Sequence, residues 1–335
     1  MSDPARILII KPSALGDVVH TLPVLRLLRK RFPSATIDWV ISAPLAPLLE
    51  GHPDLQDPIA LHRSPAGFVS VAREIRRRGY DLVLDLQGLL RSGVLARATG
   101  SATRVGFAAA REFASLAYTH KVPPQLHPRH AVERYLDMAE FIGCGRGPVE
   151  FVFASTAADH EWAKTQTHSL GKFAVLAPGT NWPSKRWPIE HFAQLAQILR
   201  ERGISVVVVG SSDAVELASQ IKPDLNLAAR TSLKQLVEII GLAEVVVAND
   251  SGPMHIAAAL GTPLVVPFGP TNPTLTGPYL RPESVLQFPL PCSGCLSRKC
   301  SHLTCLRRIA PQIVADSAAR QLLQIASIHA TEPTV

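Results

Sequence analysis

One carboxylate of this chain, that of Asp17, is placed where an acid–base reaction would need it. It ends the loop Lys11–Asp17, which follows a strand-like run at Arg6–Lys11 and precedes a helix-like segment at Val18–Arg31. In parallel sheets such a loop lies at the carboxyl edge, where ligands bind, so the carboxylate could accept a proton from a substrate. It could also serve only to cap the helix, and spacing alone favours the cap. The residues by themselves therefore leave two interpretations of Asp17, a general base and a helix cap.

A second loop, Asn249–His255, has the residue types of an anion site. It follows the strand-like run Val245–Ala248, and the N–H groups of Ser251 and Gly252 would point outward at a helix N-terminus. His255 falls in the first turn of that helix. The alternative is a well-capped helix with an incidental histidine, but the convergence of Gly, Pro and His at a strand-to-helix turn favours the anion site.

A third loop, Pro178–Pro188, follows another strand of the same predicted sheet. Gly179 and Thr180 offer N–H and hydroxyl donors, and Lys185 is a mobile point charge suited to a diphosphate. Taken alone, the loop is equally well read as a polar connection with scattered cations. Two loops of this kind at one sheet edge favour phosphate binding.

The cysteines predict a metal site. Four of the five lie in the pattern C-x2-C-x4-C-x4-C: Cys292, Cys295, Cys300 and Cys305. In a reducing compartment this pattern favours a tetrahedral thiolate site for structural zinc or iron over disulfides. Plain reduced thiols are the alternative. We expect no catalytic role for such a site, because no open coordination position is implied.

The elements that must position these loops alternate along the chain, which predicts βα units on parallel sheets. Strands are predicted at Arg6–Lys11, Thr36–Ser42, Pro58–His62, Asp81–Leu86, Arg104–Phe107, Phe173–Ala177, Ser205–Gly210, Val245–Ala248 and Leu264–Phe268. Helices are predicted at Val18–Arg31, Leu45–Glu50, Phe68–Arg78, Leu89–Ala98, His130–Ile142, Ile189–Glu201, Ala214–Ile221, Leu233–Leu242, Pro253–Leu260 and Pro311–Ile328. A break near 143–156 predicts two domains, 1–155 and 156–310, with a terminal helix in 311–330. We expect an α/β fold with ligands bound in a cleft between two Rossmann-like domains.

Composition narrows the class of protein. Hydrophobic residues make up 47% and charged residues 18% of 335, so a packed core is expected and global disorder is not. No apolar run approaches the ~18 residues of a membrane span, and we expect no signal peptide, so the predicted location is the cytoplasm. The net charge of +7 suits an anionic partner or ordinary solubility. The absence of arginine–aromatic interleaving argues against nucleic acid.

At this point the motifs resemble those of the ADP-heptose:lipopolysaccharide heptosyltransferases, glycosyltransferase family 9, over almost the whole chain. The loops at 12–17, 178–188, 250–255 and 268–273 carry the resemblance, in the family's order. The segments 81–89, 110–118 and 130–134 resemble heptosyltransferase I, which adds the first heptose to Kdo on lipid A. The loop at 178–188 is closer to heptosyltransferase II.

The resemblance implies a GT-B fold, with the acceptor on the first domain, the donor on the second, and the last helix crossing back to the first. It implies inverting transfer from ADP-heptose to Kdo-lipid A or another inner-core acceptor, without a metal or other cofactor for the chemical step. Contact with the cytoplasmic face of the inner membrane follows from such an acceptor. The roles implied are proton acceptance by Asp17; diphosphate binding by Gly179, Thr180, Lys185, Asp250, Ser251, Gly252 and His255; and acceptor binding by Gln87, Arg111, His130 and Arg134.

Three alternatives remain open from the residues. One is a GT-B transferase with a different nucleotide sugar or acceptor, and another is a non-catalytic nucleotide-binding module. An NAD-dependent oxidoreductase is disfavoured, because the loop after the first strand lacks G-x-G-x-x-G. For Arg134, a second interpretation also remains open, that of a plain charge on the helix surface.

Overall fold

The computed structural model describes residues 3–331, and for 324–331 the backbone only. The chain divides into two compact units, Met1–Ser155 and Thr156–Val335. Each unit has its own parallel sheet of six strands with helices packed on it.

The first unit is built on a sheet with the strand order β3-β2-β1-β4-β5-β6, all neighbours being parallel. Its strands are β1 Arg6–Ile10, β2 Thr36–Ser42, β3 Asp57–Leu61, β4 Leu82–Asp85, β5 Thr103–Phe107 and β6 His120–Val122. Its helices are α1 Leu15–Arg31, α2 Pro65–Arg78, α3 Leu90–Ala98 and α4 Ala131–Phe141, with 3-10 turns at Ala43–Leu48 and Ala114–Ala117.

The second unit repeats this topology, with the order β12-β11-β10-β7-β8-β9. Its strands are β7 Phe173–Ala177, β8 Ser205–Val208, β9 Leu225–Asn226, β10 Val245–Ala248, β11 Leu264–Phe268 and β12 Val285–Gln287. Its helices are α5 Ala157–Thr167, α6 Ile189–Glu201, α7 Asp213–Ile221, α8 Leu233–Leu242, α9 Gly252–Leu260, α10 Pro273–Thr276, α11 Thr304–Arg307 and α12 Pro311–Thr331, with 3-10 turns at Pro183–Lys185 and Pro282–Ser284.

The central strands are apolar along their whole length because both faces of each sheet are covered. β7, β10 and β11 are buried at every position, as expected for parallel sheets with helices on both sides. The long predicted strands and helices therefore lie where their apolar patterns placed them. The short edge strands β6, β9 and β12 were not predicted, because two or three residues carry no readable period. Helix α5 was not predicted either.

One predicted helix has a different form. The segment predicted as a helix at Leu45–Glu50 is a 3-10 turn at Ala43–Leu48. Pro47 lies inside it and has no N–H to donate, so a regular α-helical ladder cannot continue through this segment.

The described part of α12 packs in the second unit. Val314, Ala315 and Ala318 belong to the apolar core that contains α6, and the Gln321 amide bonds both the N–H and the carbonyl of Leu264 in β11. The predicted crossing of this helix to the first unit stays a prediction. Among the described residues no helix combines the length and the apolar character that a membrane span requires.

The strand order reverses once in each sheet, between β1 and β4 and between β7 and β10. Successive crossovers run in opposite directions from such a point and leave a crevice at the carboxyl ends of the strands. Four loops follow these four strands: 11–14, 86–89, 178–188 and 249–251. They contain Gln87, Thr180, Lys185, Asp250 and Ser251, and Asp17 and Gly252 lie in the first turns of the helices that follow two of these loops.

Close packing at β5 supports the loop after β4. Gly106 lies against the ring of Tyr118, so that a Cβ added at Gly106 would meet ring carbons at 2.2–2.4 Å. The Tyr118 hydroxyl donates a 2.7 Å hydrogen bond to Oδ2 of buried Asp85. The missing side chain at position 106 is therefore what lets the tyrosine reach the end of β4.

We predict that Gly106→Ala lowers the free energy of unfolding of the first unit by about 1–3 kcal/mol, since the ring must move from a packed site. Urea unfolding measures the change. Gly147→Ala is the matched control, because its Cβ would meet only Leu27 at an ordinary 3.5 Å. Equal midpoints for the two variants would show that the Tyr118 ring relaxes without cost.

Candidate active site

Asp17 lies in the first turn of α1, at the crevice of the first sheet. Its Oδ2 accepts a hydrogen bond from the N–H of Ala14 at 3.2 Å, so the carboxylate does cap the helix. Its Oδ1 accepts a 2.7 Å hydrogen bond from the hydroxyl of Tyr135. The side chain is nevertheless 39% exposed. The carboxylate is thus fixed in direction and open to a substrate, so the two interpretations of its role are compatible.

A buried cation lies behind the carboxylate. The Lys11 ammonium is 3.6 Å from Oδ1 of Asp17 and 4.9 Å from the centre of the Tyr135 ring. Burial lowers the pKa of Lys11, and the charge of Asp17 acts against that shift. Burial, and then the charge of Asp17, raise the pKa of Tyr135 well above its ordinary value. The tyrosine therefore stays protonated at neutral pH and remains a hydrogen-bond donor to Asp17.

The loop after β4 is tied to the Asp17 loop. Oδ1 of Asp85 accepts hydrogen bonds from the N–H groups of Gln87 and Gly88 at 2.9 and 3.1 Å. Burial raises the pKa of Asp85, and the Tyr118 hydroxyl opposes the shift. Oε1 of Gln87 in turn accepts from the N–H of Ser13 at 3.3 Å. Gln87 is thus brought to the loop that carries Asp17.

The three basic acceptor candidates lie in different surroundings. The Arg134 guanidinium covers the rings of Phe107 and Tyr135, 5.5 Å from each centre, and its charge adds to the lowering of the Lys11 pKa. Arg134 therefore lies beside the side chains that hold Asp17, Lys11 and Tyr135, and is more than a helix-surface charge.

The other two basic candidates are His130 and Arg111. His130 is the N-cap of α4, where Nδ1 accepts from the N–H of Val132 at 3.2 Å, and its ring packs edge-on against His20. Arg111 is exposed, and its N–H donates to the carbonyl of Gly88 at 2.9 Å. His130 has a clear structural task, whereas the Arg111 side chain points to no bonded partner among the described residues.

In the second unit, Asp250 joins the two predicted phosphate loops. Its Oδ2 is 2.6 Å from the Lys185 ammonium and accepts a 2.6 Å hydrogen bond from the Thr271 hydroxyl. Its backbone carbonyl accepts from the Thr180 hydroxyl at 3.3 Å. The Lys185 ammonium also lies 4.6 Å from the centre of the Trp182 ring. The lysine is therefore held at the crevice between the loops rather than free in solvent.

Asn249 locks the same two loops through the backbone. Its Nδ2 donates to the carbonyl of Pro178 at 2.6 Å, and its Oδ1 accepts from the N–H of Trp187 at 2.9 Å. The buried Trp187 indole donates to the carbonyl of Ile309 at 2.9 Å. Both ends of the 178–188 loop are thus tied to the strand β10 and to the core.

The N-terminus of α9 has the predicted form. Ser251 is the N-cap, and Pro253 lies in the first turn, where an N–H has no intrahelical acceptor. His255 is buried in the same turn region. Gly179 lies in the loop after β7, and a Cβ there would lie 2.9 Å from the carboxylate of Asp213, the first residue of α7. The sequence-predicted donors Thr180, Lys185, Ser251 and Gly252 therefore come together on two loops that Asn249 and Asp250 hold in place.

The described residues do not support the predicted four-thiolate metal site. Among residues 3–323, no three His, Cys, Asp or Glu side chains are grouped to hold a metal ion. Cys305 is buried in the apolar core of the second unit, where burial raises the pKa of its thiol, while Cys292 and Cys295 are exposed. None of these four cysteines is in a disulfide, and after burial the charges of Cys300 and Cys292 also raise the pKa of Cys305.

Several contributors were not predicted from the sequence. Lys11, Asn249 and Thr271 appeared only within motifs and were given no role, and Tyr135 was not singled out. Tyr135 lies 118 residues from Asp17 in the chain, and nothing in a local pattern signals such a contact. For Asn249, a polar residue directly after an all-apolar strand was the available signal.

Comparison with known proteins identifies relatives with this architecture. Residues 68–305 match the profile of glycosyltransferase family 9 (heptosyltransferase). The lipopolysaccharide heptosyltransferase 1 of Pseudomonas aeruginosa is 30% identical, covering 95% of this chain and 98% of that protein. The structure of E. coli ADP-heptose LPS heptosyltransferase II superposes with a TM-score of 0.79 at 27% identity, covering 96% and 99% of the two chains. That of E. coli heptosyltransferase WaaC with ADP superposes with a TM-score of 0.75 at 26% identity, covering 94% and 99%.

These matches run over nearly the full length of both partners and include the crevice loops described above. They confirm the predicted α/β fold of the GT-B class, with two Rossmann-like units. The chain therefore belongs to glycosyltransferase family 9, the heptosyltransferase family, and is a glycosyltransferase.

Proposed function

We propose that this enzyme transfers heptose, with inversion, from ADP-heptose to a Kdo residue of the lipopolysaccharide inner core, as a heptosyltransferase I-like enzyme. The observation that carries the proposal is the carboxylate of Asp17, fixed by Tyr135 and Ala14 yet open to solvent at the crevice of the first sheet. The 30% identity to a lipopolysaccharide heptosyltransferase 1 supports the choice of donor and acceptor.

The reaction is a single in-line displacement at the anomeric carbon of the donor sugar. An acceptor hydroxyl attacks that carbon as its proton passes to Asp17, the new C–O bond forms, and the bond to the diphosphate oxygen breaks. ADP leaves from the opposite face, which inverts the configuration. Side chains accept the proton and stabilise the leaving group, so the proposed step uses no cofactor.

The leaving diphosphate gains charge as the bond breaks, and donors that are already in place lower the barrier most. We assign this task to the Lys185 ammonium, the Thr180 hydroxyl and the N-terminus of α9 at Ser251 and Gly252. The position of Lys185 between Asp250 and Trp182 supports the assignment, since the pair fixes the ammonium beside the α9 N-terminus. Asp250 acts as a positioning residue there, and Gly179 and His255 complete the proposed donor pocket.

For the acceptor, we assign Arg134 and Gln87 to the attacking sugar. Arg134 covers the ring of Tyr135, which bonds Asp17, and Gln87 accepts a hydrogen bond from Ser13 in the loop before Asp17. An arginine pairs well with a carboxylate such as that of Kdo. Arg111, exposed beyond Gly88, suits a more distant anionic group of the same acceptor. His130 is assigned a supporting role at the N-terminus of α4.

A heptosyltransferase II-like function is the second candidate, because the fold also matches the structure of heptosyltransferase II. The two candidates differ in their acceptor. Side-by-side transfer from ADP-heptose to Kdo-lipid A and to its heptosylated product separates the two. We expect transfer to Kdo-lipid A. Transfer only to the heptosylated product would overturn the proposed acceptor, and transfer only from another nucleotide sugar would overturn the proposed donor.

We predict that Asp17→Asn lowers kcat about 10²–10⁴-fold, because the amide cannot accept the proton. ADP binding, measured by calorimetry, should be unchanged, since the proposed diphosphate ligands lie on the loop 178–188 and at the N-terminus of α9 and do not include Asp17. Normal turnover by this variant would show that Asp17 is only a helix cap. Absence of turnover in the parent enzyme with every sugar donor would instead indicate a non-catalytic nucleotide-binding module.

Tyr135 is proposed to be a positioning residue for Asp17. Tyr135→Phe should lower kcat about tenfold or more, because a hydrogen bond to a charged group is lost, with little change in acceptor KM. The acidic limb of the kcat–pH profile should move to higher pH, since the ionised carboxylate loses a donor.

Tyr118→Phe is the matched control for Tyr135→Phe, because it also removes a buried tyrosine hydroxyl that donates to a carboxylate at 2.7 Å in the same unit. It should lower stability and leave the acidic limb in place. A shift of equal size in both variants would mean that Tyr135 acts through general stability.

Lys185→Met should raise the Kd of ADP about tenfold or more, because a charge that faces the diphosphate is removed. Isothermal titration calorimetry measures the change, and thermal unfolding reports any cost of leaving Asp250 without its cation. Lys172→Met, at an exposed lysine of the same unit, is the control and should bind ADP like the parent. An unchanged Kd for Lys185→Met would remove this lysine from the donor site.

A further inference from the structure

Four large apolar side chains of the first unit are exposed on two adjoining elements, and we name this set the apolar surface. Leu90 and Val94 lie one turn apart on α3, with exposed fractions of 53% and 46%. Phe113 and Leu116 lie at the 3-10 turn Ala114–Ala117, with exposed fractions of 80% and 79%. Single exposed apolar residues are ordinary in soluble proteins, whereas grouped ones mark interaction sites.

The two elements are packed together, so this exposure belongs to a rigid surface. A Cβ added at Gly93 would lie 3.2 Å from the backbone of Ala114, which shows how closely α3 approaches the turn. Oε2 of Glu112 accepts a hydrogen bond from the N–H of Leu90 at 3.2 Å, which ties the two segments at the start of the helix. Leu95 of α3 and Ala114 of the 3-10 turn already occupy the core side of these elements. The four exposed side chains therefore cannot be buried in the core by a local rotation.

Arginines border the apolar surface. Arg91 and Arg97 are exposed on α3, and Arg111 is exposed just before the turn. None of the three forms an ion pair with any residue that the structure describes. Glu112 is the one acidic residue in α3 and in the segment 110–118, and its carboxylate is engaged by the helix N-terminus, where negative charge is favourable. The border is therefore cationic and available to external anions.

The apolar surface is continuous with the candidate active site. The N–H of Arg111 donates to the carbonyl of Gly88, in the loop after β4. The neighbouring Gln87 accepts from Ser13, in the loop that carries Asp17. A few residues therefore separate the exposed phenylalanine from the crevice of the first sheet.

We propose that the apolar surface, with Arg91 and Arg97 beside it, docks the enzyme onto an anionic phospholipid bilayer. Phe113 and Leu116 enter the boundary between headgroups and acyl chains, and the arginines contact lipid phosphates. Apolar burial and electrostatic attraction to anionic lipids together set the strength of such interfacial binding. An apolar patch with a cationic border fits this occupant better than a second copy of the chain, which would bring the same arginines toward one another.

The inference rests on the proposed function in one respect: docking to a bilayer is useful to the enzyme only if its acceptor is anchored in lipid. An enzyme docked through α3 and the 113–116 turn would meet the sugar headgroup of such an acceptor near the loop 86–89. The lipid tails would then stay in the bilayer while the sugar reaches Asp17.

Vesicle co-sedimentation of the full chain tests the docking without donor or acceptor. We expect binding to vesicles of phosphatidylethanolamine and phosphatidylglycerol, and much weaker binding when phosphatidylcholine replaces the anionic lipid. Phe113→Asn with Leu116→Gln should weaken partitioning about tenfold or more. Asparagine is chosen at 113 because that residue has a φ of 62°, which Asn tolerates better than most residues.

Arg91→Gln with Arg97→Gln should weaken binding to anionic vesicles about fivefold per arginine, and raised salt should weaken the parent in the same way. Leu280→Asn with Leu296→Asn is the matched control. Those leucines are 73% and 62% exposed in the second unit and also have positive φ. The control should bind vesicles like the parent.

Three outcomes would overturn the docking surface: no binding of the parent to anionic vesicles, equal binding by Phe113→Asn/Leu116→Gln, or equal loss in the control. A change in oligomeric state of that variant without loss of vesicle binding would assign the surface to self-association instead. Transfer to acceptor dispersed in detergent should be unchanged by these substitutions. Absence of detergent-phase transfer in the parent would contradict the proposed function and leave the vesicle result intact.

Discussion

Each unit depends on the reversal of strand order at the middle of its parallel sheet. Parallel neighbours must be joined by crossovers of one hand, so β1 to β3 extend the first sheet one way and β4 to β6 the other. The loops after β1 and β4 diverge at that point, and a crevice remains that no helix fills. Because the second sheet repeats the order, the enzyme has two such crevices, each lined by two loops.

The crevice loops are held by buried polar groups. In the first unit, Lys11 and Tyr135 fix the carboxylate of Asp17 from behind. In the second, Asn249 ties both ends of the 178–188 loop and Asp250 holds Lys185. Groups fixed in this way need little reorganisation when charge develops in a reaction, and that is the property from which electrostatic catalysis gains most. The polar groups stay satisfied because each one is paired within its own unit.

The first unit also shows how the same loops link chemistry to a surface. Asp85 at the end of β4 is bonded by Tyr118 and by the N–H groups of Gln87 and Gly88. The carbonyl of Gly88 accepts a hydrogen bond from the N–H of Arg111, which directly precedes the exposed segment at 113–116. A rigid connection of this kind lets an enzyme hold a bulky substrate at one place and act on it at another.

The parallel sheets, the α/β class and the loops that carry chemistry could all be predicted from the amino-acid sequence. All-apolar runs such as Val245–Ala248 need cover on both faces, and the polar residues that directly follow them must lie at the carboxyl edge. Asp17, Lys185 and Ser251 were therefore accessible to sequence reasoning, and the family resemblance added their roles. The short edge strands could not be predicted, because two or three residues are too few to show a period in hydrophobicity.

Which side chains contact these loops became clear only from the folded structure. The bond from Tyr135 to Asp17 crosses 118 residues and the bond from Thr271 to Asp250 crosses 21, so neither leaves a local signature. The cysteines show the converse: their spacing suits a metal, but the described residues contain no group of three ligands, and Cys305 lies in the apolar core. Burial and long-range contact are set by how elements pack, and spacing along the chain carries that information only within single elements.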